Sequence, residues 1–199
     1  MHIEAMIKSI QSRIGLEADG NAGPLTWAAL YERIVGNAPP AEADPGALDE
    51  RSARNVATLQ PDVRPFATAL VERAAMQGIV IKVISGTRSY VEQDTLFAQG
   101  RTAPGNIVTN ARGGQSNHNF GIAFDVGVFD GRRYLDHSPL YKAVGAIGLA
   151  LGLEWGGNWT SFVDEPHFQL RPIWAKNIPE RDMLAELERR HARHETVFS

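Results

Sequence analysis

No cysteine occurs anywhere in the 199-residue chain. Disulfide cross-links and cysteine-ligated structural zinc are therefore excluded, and any metal ion must be held by His, Asp or Glu. The formal net charge of −3 gives no general electrostatic reason to bind nucleic acid or an anionic membrane surface. No run approaches the ~18 apolar residues of a membrane span, so we expect no membrane insertion.

The N-terminal stretch also lacks the features of a secretory signal. The segment M-H-I-E-A-M-I-K-S-I-Q-S-R-I-G is amphipathic with interspersed charge. It has no continuous apolar core and no A-x-A-like cleavage site, which argues against a Sec signal peptide. We therefore expect the protein to be made in the cytoplasm. A substrate outside it would be reached after release or by a non-Sec export route.

The composition is that of a globular protein, with 43% hydrophobic and 22% charged residues. Apolar residues recur at helical spacing over 3–14 and again over 27–34, and a glycine follows each stretch. We predict a helical module over 1–36, a proline-rich linker over 37–47 and a second domain over 48–199.

The second domain mixes strand and helix patterns without regular βαβ repetition. The runs I-V-I-K-V-I-S and I-A-F-D-V-G-V-F predict strands, and P-H-F-Q-L-R predicts a shorter one. Helical patterns cover 63–77, 92–99, 139–151 and the charged segment 180–195. This order favours an α+β fold, in which helices flank a small antiparallel sheet that carries the candidate metal site described next.

Two histidines and an aspartate of the second domain could share one metal ion. His118 and Asp125 lie in S-N-H-N-F-G-I-A-F-D, and His167 follows D-E-P. Asp125 interrupts an apolar strand pattern, which is costly unless the carboxylate is paired or bound to metal. Two imidazoles and one carboxylate leave a fourth tetrahedral position open for water, as in catalytic zinc sites. We predict one Zn²⁺ per chain.

Three further side chains are candidates for catalysis or substrate binding. Asp164 lies three residues before His167 and could act as the general base. Arg88, in S-G-T-R-S, could stabilise an oxyanion, although a structural ion pair is the alternative. Trp159 could form a cleft wall or anchor a loop through its large apolar area. A domain without metal, with His118 an ordinary surface or core histidine, also remains open.

These motifs resemble those of a known family. S-N-H-N-F-G-I-A-F-D fits the S-x-H-x-x-G-x-A-x-D pattern of the D-alanyl-D-alanine carboxypeptidase (VanY-like) zinc peptidases, and D-E-P-H-F fits their closing motif. S-G-T-R-S followed by E-Q-D-T-L-F-A-Q-G-R resembles the branch containing L-alanyl-D-glutamate endopeptidases of phage endolysins. An Asp at the base position, instead of Glu, also looks more like that branch. The resemblance covers about residues 48–175.

The resemblance implies roles for individual residues. It implies zinc ligation by His118, Asp125 and His167. General-base catalysis by Asp164 and transition-state stabilisation by Arg88 follow from the same comparison.

Two further positions are implied to lie near the substrate, Ser116 and Gln93. Taken alone, either residue would be a turn or cap residue.

The N-terminal I-Q-S-R-I-G-L-E-A-D-G-N-A-G-P-L-T-W resembles a small peptidoglycan-binding module with its D-G-x-x-G-P-x-T motif. The alternative for this segment is a helical cap on the catalytic domain.

We therefore predict a zinc-dependent peptidase that hydrolyses peptidoglycan stem peptides between L-Ala and D-Glu. A D-Ala-D-Ala carboxypeptidase is the second interpretation, and a non-catalytic wall-binding protein with structural zinc is the third. We expect a monomer whose partner is peptidoglycan, and we expect no nucleic-acid partner. Its site of action would be the cell wall or periplasm.

Overall fold

The computed structural model describes residues 2–36 and 47–199. The chain divides into two compact units between Asp44 and Pro45. The predicted linker lies outside the described residues except for its last position, so the predicted domain boundaries stay a prediction. Across the two described ranges, no helix is both long and apolar enough to cross a membrane.

The N-terminal unit is a pair of helices, α1 (Ile3–Ile14) and α2 (Pro24–Val35). A glycine follows each helix, as the sequence predicted. The buried Gln11 ties α1 to the turn and to α2. Its amide oxygen accepts from the backbone N–H of Gly20 at 2.9 Å, and its nitrogen donates to Thr26 Oγ1 at 3.1 Å. The buried residues Gln11 and Thr26 thus give this unit a polar centre.

The second unit contains the sheet and most of the helices. Its α-helices within 47–199 are α3 (Glu50–Ala57), α4 (Arg64–Met76), α5 (Tyr90–Ala98), α6 (Leu140–Leu151) and α7 (Glu180–Ala192). Its strands are β1 (Val80–Ser85), β2 (Ala123–Asp130), β3 (Arg133–Leu135), β4 (Glu154–Trp155) and β5 (His167–Gln169). Short 3-10 helices cover Asn117–Phe120, Gly156–Asn158 and Ile173–Ala175.

The strands of the second unit form one antiparallel sheet in the order β1-β2-β5-β4, with β3 paired to the far end of β2. The predicted α+β class with a small antiparallel sheet is thus confirmed. Asp125 on β2 lies directly opposite His167 on β5. Paired residues on neighbouring antiparallel strands project from the same face of a sheet, so the register brings these two side chains together.

The main core lies between the sheet and helices α3, α4 and α6. Phe124, Val126 and Val128 alternate along β2 and are fully buried. Helix α6 approaches β5 closely, because a Cβ at Gly148 would lie 2.4 Å from the ring of Phe168. This close packing fixes the position of β5, which carries one of the candidate ligands.

A second apolar cluster joins helix α7 to the segment that carries His118. It consists of Phe120, Ile122, Ala175, Met183 and Leu187. Phe120 belongs to the same 3-10 helix as His118. The cluster therefore fixes the position of His118 relative to the sheet.

Four short elements of the second unit were not predicted from the sequence. Helix α3 and the short strands β3 and β4 were not predicted, because they are too short or too polar for a hydrophobic period to stand out. His118 lies in a 3-10 helix of four residues, which no hydrophobic period marks in the sequence.

Candidate metal centre and active-site cleft

Three ligand atoms from separate parts of the chain converge at one point. His118 Nε2 lies 3.2 Å from Asp125 Oδ1 and 3.3 Å from His167 Nδ1. The third side of the triangle, from His167 Nδ1 to Asp125 Oδ1, is 3.4 Å. The two histidine side chains are almost wholly buried, and the aspartate side chain is 17% exposed. The structure thus brings together the three predicted ligands.

The triangle fits a metal ion. Zinc–nitrogen and zinc–oxygen bonds of 2.0–2.1 Å in a tetrahedron place neighbouring ligand atoms about 3.3–3.4 Å apart. The three observed separations of 3.2, 3.3 and 3.4 Å match this spacing. Two imidazole nitrogens and one carboxylate oxygen are also a donor set that zinc accepts readily. These residues therefore suit a metal with one coordination position left over.

Each histidine binds a second group through its other ring nitrogen. His118 Nδ1 lies 2.8 Å from the backbone oxygen of Gly86, to which it donates its proton. His167 Nε2 lies 2.9 Å from Gln169 Oε1. Such outer partners fix the tautomer of a ligating histidine. Both contacts therefore direct a ring lone pair toward the common point.

Asp125 is held through both of its oxygens. Oδ1 faces the histidines, and Oδ2 accepts from Arg88 Nη2 at 3.0 Å. Burial acts to raise the pKa of Asp125, but His118 and His167 hold that pKa well below its usual range. The carboxylate is therefore ionised, as a metal ligand must be.

The two histidines differ in their proton affinity. Burial lowers the pKa of His118, which keeps this imidazole neutral. Burial acts in the same direction on His167, but the hydrogen bond and charge of Asp125, together with Gln169 and Asp164, outweigh it and raise the pKa of His167. A proton and a metal ion therefore compete at His167 Nδ1.

The ligand triangle lies in a cleft of about 1250 Å³. Of the other predicted site residues, Arg88, Ser116, Trp159 and Asp164 line this cleft. The Trp159 ring centroid is 4.8 Å from that of His167, so the indole forms a wall beside a candidate ligand.

Asp164 combines a buried position with a negative neighbour. Burial, followed by the charge of Asp125, raises the pKa of Asp164 above its usual range. Its backbone oxygen accepts from the N–H of His167 at 3.2 Å. The candidate base and a candidate ligand are thus joined by one short turn of backbone.

Gln93 does not line the cleft. It is fully buried, and its Oε1 accepts from Arg88 Nη1 at 3.0 Å. Its Nε2 donates to Thr109 Oγ1 at 3.2 Å and to the backbone oxygen of Ala111 at 3.0 Å. Gln93 therefore supports Arg88 from behind, whereas the sequence comparison implied a position beside the substrate.

Sequence reasoning did not single out Gly156. A Cβ at this position would lie 2.5 Å from the backbone oxygen of Asp164 and 3.0 Å from His167 Cβ. Only glycine allows this close approach, which holds the turn between Asp164 and His167 against β4. The sequence shows a glycine pair in L-E-W-G-G-N-W, but no local pattern reveals the contact.

The polar residues behind His167 were also missed. Gln169 contacts Asn117, Glu154 and Glu180, and Arg171 forms ion pairs with both glutamates. One signal was available, because Gln169 shares a strand face with His167 by simple alternation.

Comparisons with known proteins agree with the site. A family profile described as D-alanyl-D-alanine carboxypeptidase matches residues 109–170, which contain the three candidate ligands and Asp164. The chain is 41% identical over 126 residues to the peptidoglycan L-alanyl-D-glutamate endopeptidase CwlK of Bacillus subtilis (strain 168), covering 57% of this chain and 74% of that protein. The crystal structure of the Serratia marcescens L-Ala D-Glu endopeptidase ChiX matches with 22% identity and a TM-score of 0.49, covering 61% of this chain and 87% of that one.

The resemblance inferred from the sequence motifs is thus confirmed by a relative of which this chain covers 74% at 41% identity. The matched profile and the convergent ligand triangle agree on the same segment of the second unit. The chain is a peptidase and belongs to the D-alanyl-D-alanine carboxypeptidase (VanY-like) family.

Proposed function

We propose that the protein is a zinc-dependent peptidoglycan endopeptidase that hydrolyses the bond between L-Ala and D-Glu of the stem peptide. The observation that carries this proposal is the 41% identity to a protein named for that activity. The ligand triangle and the adjacent Asp164 supply the groups that a metal-dependent amide hydrolysis needs.

Zinc is the ion we propose for the centre. Bound by His118, Asp125 and His167, it would lower the pKa of a coordinated water and polarise the amide carbonyl. The mixed nitrogen and oxygen donors, their tetrahedral spacing and the family membership support this choice.

Asp164 is the proposed general base. Its carboxylate would take a proton from the attacking water and deliver it to the leaving amine nitrogen. Burial and the charge of Asp125 raise the pKa of Asp164, which makes it a better proton acceptor than an exposed aspartate. A bound cation acts in the opposite direction, so the working pKa is set by the balance of the two.

Arg88 is the proposed stabiliser of the oxyanion. The guanidinium group carries five N–H donors. Two of its nitrogens bond to Gln93 and Asp125, which hold the group rigidly at the cleft. The N–H groups that these contacts do not use can donate to the negative charge that develops on the amide oxygen.

The cleft supports a peptide longer than a terminal dipeptide. Its volume of about 1250 Å³ exceeds the ~300–1,000 Å³ of ordinary small-molecule pockets. Ser116 and Trp159 are the proposed substrate contacts on its walls. An extended chain could therefore pass on both sides of the scissile bond.

Product analysis on purified sacculi tests the proposal. Mass spectrometry should detect fragments with a new N-terminal D-Glu, and a chelator should stop their release. The matched control is Asp164→Asn, which should retain the metal and release these fragments about 10²- to 10⁴-fold more slowly. Loss of a terminal D-Ala alone would instead favour a D-Ala-D-Ala carboxypeptidase, the second candidate, which the description of the matched family profile favours.

The N-terminal unit is a proposed wall-binding module. Trp27 and Tyr31 on α2 are 62% and 41% exposed, and aromatic faces of this kind are common in binding surfaces. Trp27→Ala should reduce the fraction of protein that sediments with sacculi while hydrolysis of soluble stem peptides stays unchanged. Equal sedimentation of both proteins would contradict the assignment.

The remaining proposals concern the cell. We propose a monomer that acts on the wall or periplasm after release or non-Sec export, because the proposed substrate lies there. Size-exclusion chromatography with light scattering tests the monomer, and fractionation of producing cells tests the location.

A further inference from the structure

Gln169 occupies a wholly polar setting in the interior behind the metal centre. The residue is 1% exposed. Its Oε1 faces His167 Nε2 at 2.9 Å and accepts from Asn117 Nδ2 at 2.6 Å. Its Nε2 donates to Glu154 Oε2 at 2.7 Å and to Glu180 Oε1 at 3.4 Å. Every donor and acceptor of this amide is thus engaged.

The two glutamates determine which way the Gln169 amide points. An ionised carboxylate only accepts hydrogen bonds, so the NH₂ group must face Glu154 and Glu180. Arg171 forms ion pairs with both glutamates, which holds them in place. A flipped amide would set its oxygen against two carboxylates, which have no proton to donate, and would lose the hydrogen bonds to both. The amide oxygen is therefore directed at His167.

The direction of the amide decides where the ring proton of His167 resides. Gln169 Oε1 can accept it at Nε2, 2.9 Å away, whereas Asp125 Oδ1 at 3.4 Å and His118 Nε2 at 3.3 Å can accept it at Nδ1. A proton on Nδ1 would point at Asp125 and remove the lone pair that a metal ion needs. A proton on Nε2 leaves Nδ1 open toward His118 and Asp125. Gln169 thus favours the proton on Nε2, whereas Asp125 favours it on Nδ1.

We propose that Gln169 is a positioning residue that holds the His167 proton on Nε2, and that Glu154 and Glu180 lock Gln169 in the orientation that does so. This inference rests on the proposed metal-dependent function. It extends the metal centre to helix α7, since Glu180 is its first residue. Glu180 also lies outside the segment 109–170 that the family profile matches.

Zinc affinity measured by chelator competition is the first test. Gln169→Leu should weaken Zn²⁺ binding by about 10- to 100-fold, the usual cost of losing an outer partner of a ligating histidine. Gln169→Glu combined with Glu154→Gln should restore most of the affinity, because the carboxylate accepts from His167 in either orientation and a neutral amide replaces the Glu154 carboxylate beside it. The matched control is Gln115→Leu, an exposed glutamine of the same cleft that should leave affinity unchanged.

Nitrogen NMR of His167 in the metal-free protein is the second test. The wild type should show the proton on Nε2, and Gln169→Leu should shift it to Nδ1. The double variant Glu154→Gln, Glu180→Gln leaves Gln169 in place and frees its amide to flip. It should therefore show a mixture of the two tautomers and weaker Zn²⁺ binding, and it decides the matter if Gln169→Leu does not fold.

The outcomes distinguish the positioning role of Gln169 from the proposed metal-dependent function. Wild-type affinity and tautomer in Gln169→Leu, or in the double glutamate variant, would overturn the positioning role. Equal loss in Gln169→Leu and in the combined variant Gln169→Glu, Glu154→Gln would also overturn it, because packing alone would then explain the effect. A wild-type protein that binds no Zn²⁺ would instead overturn the proposed metal-dependent function.

Discussion

Asp164 is the residue on which the proposed chemistry depends most directly. It lines the cleft beside the ligand triangle, and burial raises its pKa. It is not itself one of the three convergent ligands. Proton transfer and metal binding therefore reside in different side chains and can be separated by substitution.

Asp164→Asn should lower the rate of hydrolysis by about 10²- to 10⁴-fold, the usual contribution of a general base. The metal content should stay near that of the wild type, because the three ligands are unchanged. Activity on sacculi and zinc content by elemental analysis check both parts. The matched variant is His118→Ala, which should lose the metal as well. An active Asp164→Asn protein would remove Asp164 from the mechanism.

Gly156 controls the position of Asp164 and His167 together. A Cβ at this site would lie 2.5 Å from the Asp164 backbone oxygen, so Gly156→Ala must displace the turn. A shift of about 1 Å in a catalytic group costs roughly 10²-fold in rate, and we expect a loss in kcat/KM of that order. Gly23→Ala is the control, because a Cβ there meets nothing within 4 Å. An unchanged kcat/KM in Gly156→Ala would contradict the role of Gly156 in positioning Asp164 and His167.

At the scale of elements, helix α3 is tied to strand β1 through one carboxylate. Asp49 caps the helix by accepting from the backbone N–H of Ser52 at 2.7 Å, and it pairs with Lys82 Nζ at 2.8 Å. Burial acts to raise the pKa of Asp49, but Lys82 and Ser52 lower it to about 2. The ionised form therefore stabilises the fold.

The expected pH dependence follows from the sign of this shift. The folded-state pKa lies below the ordinary value of ~3.9, so the stabilisation is present above that pH and is lost as the pH falls toward about 2. Because both side chains are 37% exposed, solvent screening limits the contribution to about 1 kcal/mol. Asp49→Asn retains a capping side chain and should lower the free energy of unfolding by that amount at pH 7.

Denaturant titrations at pH 7 and near pH 2.5 measure this effect. The difference between wild type and Asp49→Asn should shrink at the lower pH. Asp130→Asn is the control, because Asp130 and its partner Arg133 are 70% and 72% exposed and their ion pair should contribute little. A difference that stays constant with pH would exclude the ionised carboxylate as its source.

At the scale of the whole molecule, the metal centre joins segments that are far apart in the chain. His118 lies on a 3-10 helix, while Asp125 and His167 lie on neighbouring strands. A ligand set of this kind exists only in the folded state, so metal binding stabilises folding.

Removing the metal should therefore lower thermal stability. An ion present at 100 times its Kd contributes about 2.7 kcal/mol to the folded state, which corresponds to roughly 5–10 °C in Tm for a domain of this size. Calorimetry with and without a chelator measures the shift. The variant His118→Ala should show no response to the chelator. The same midpoint for the wild type in both conditions would argue against a metal in the folded protein.

Much of the site could be predicted because its signals are local. Asp125 stands out as a carboxylate in an apolar strand, and His118 and His167 lie in short motifs that carry their own chemistry. The main helices and strands of the second unit follow from hydrophobic periods, which depend on neighbours only a few residues apart. The short polar elements, such as β4 (Glu154–Trp155), carry too few residues for any period and were missed.

The sequence by itself therefore determined the α+β class and the family, and it identified the candidate ligands and the candidate base. Only the tertiary structure decided that Gln93 supports Arg88 from behind the cleft and that Gln169 contacts His167 opposite the ligand triangle. It alone revealed that Gly156 must lack a side chain. The physical reason is that these roles depend on hydrogen-bond direction and on distances between segments, such as the 52 positions that separate Asn117 from its partner Gln169. Spacing along the chain does not encode such distances, because the fold sets them.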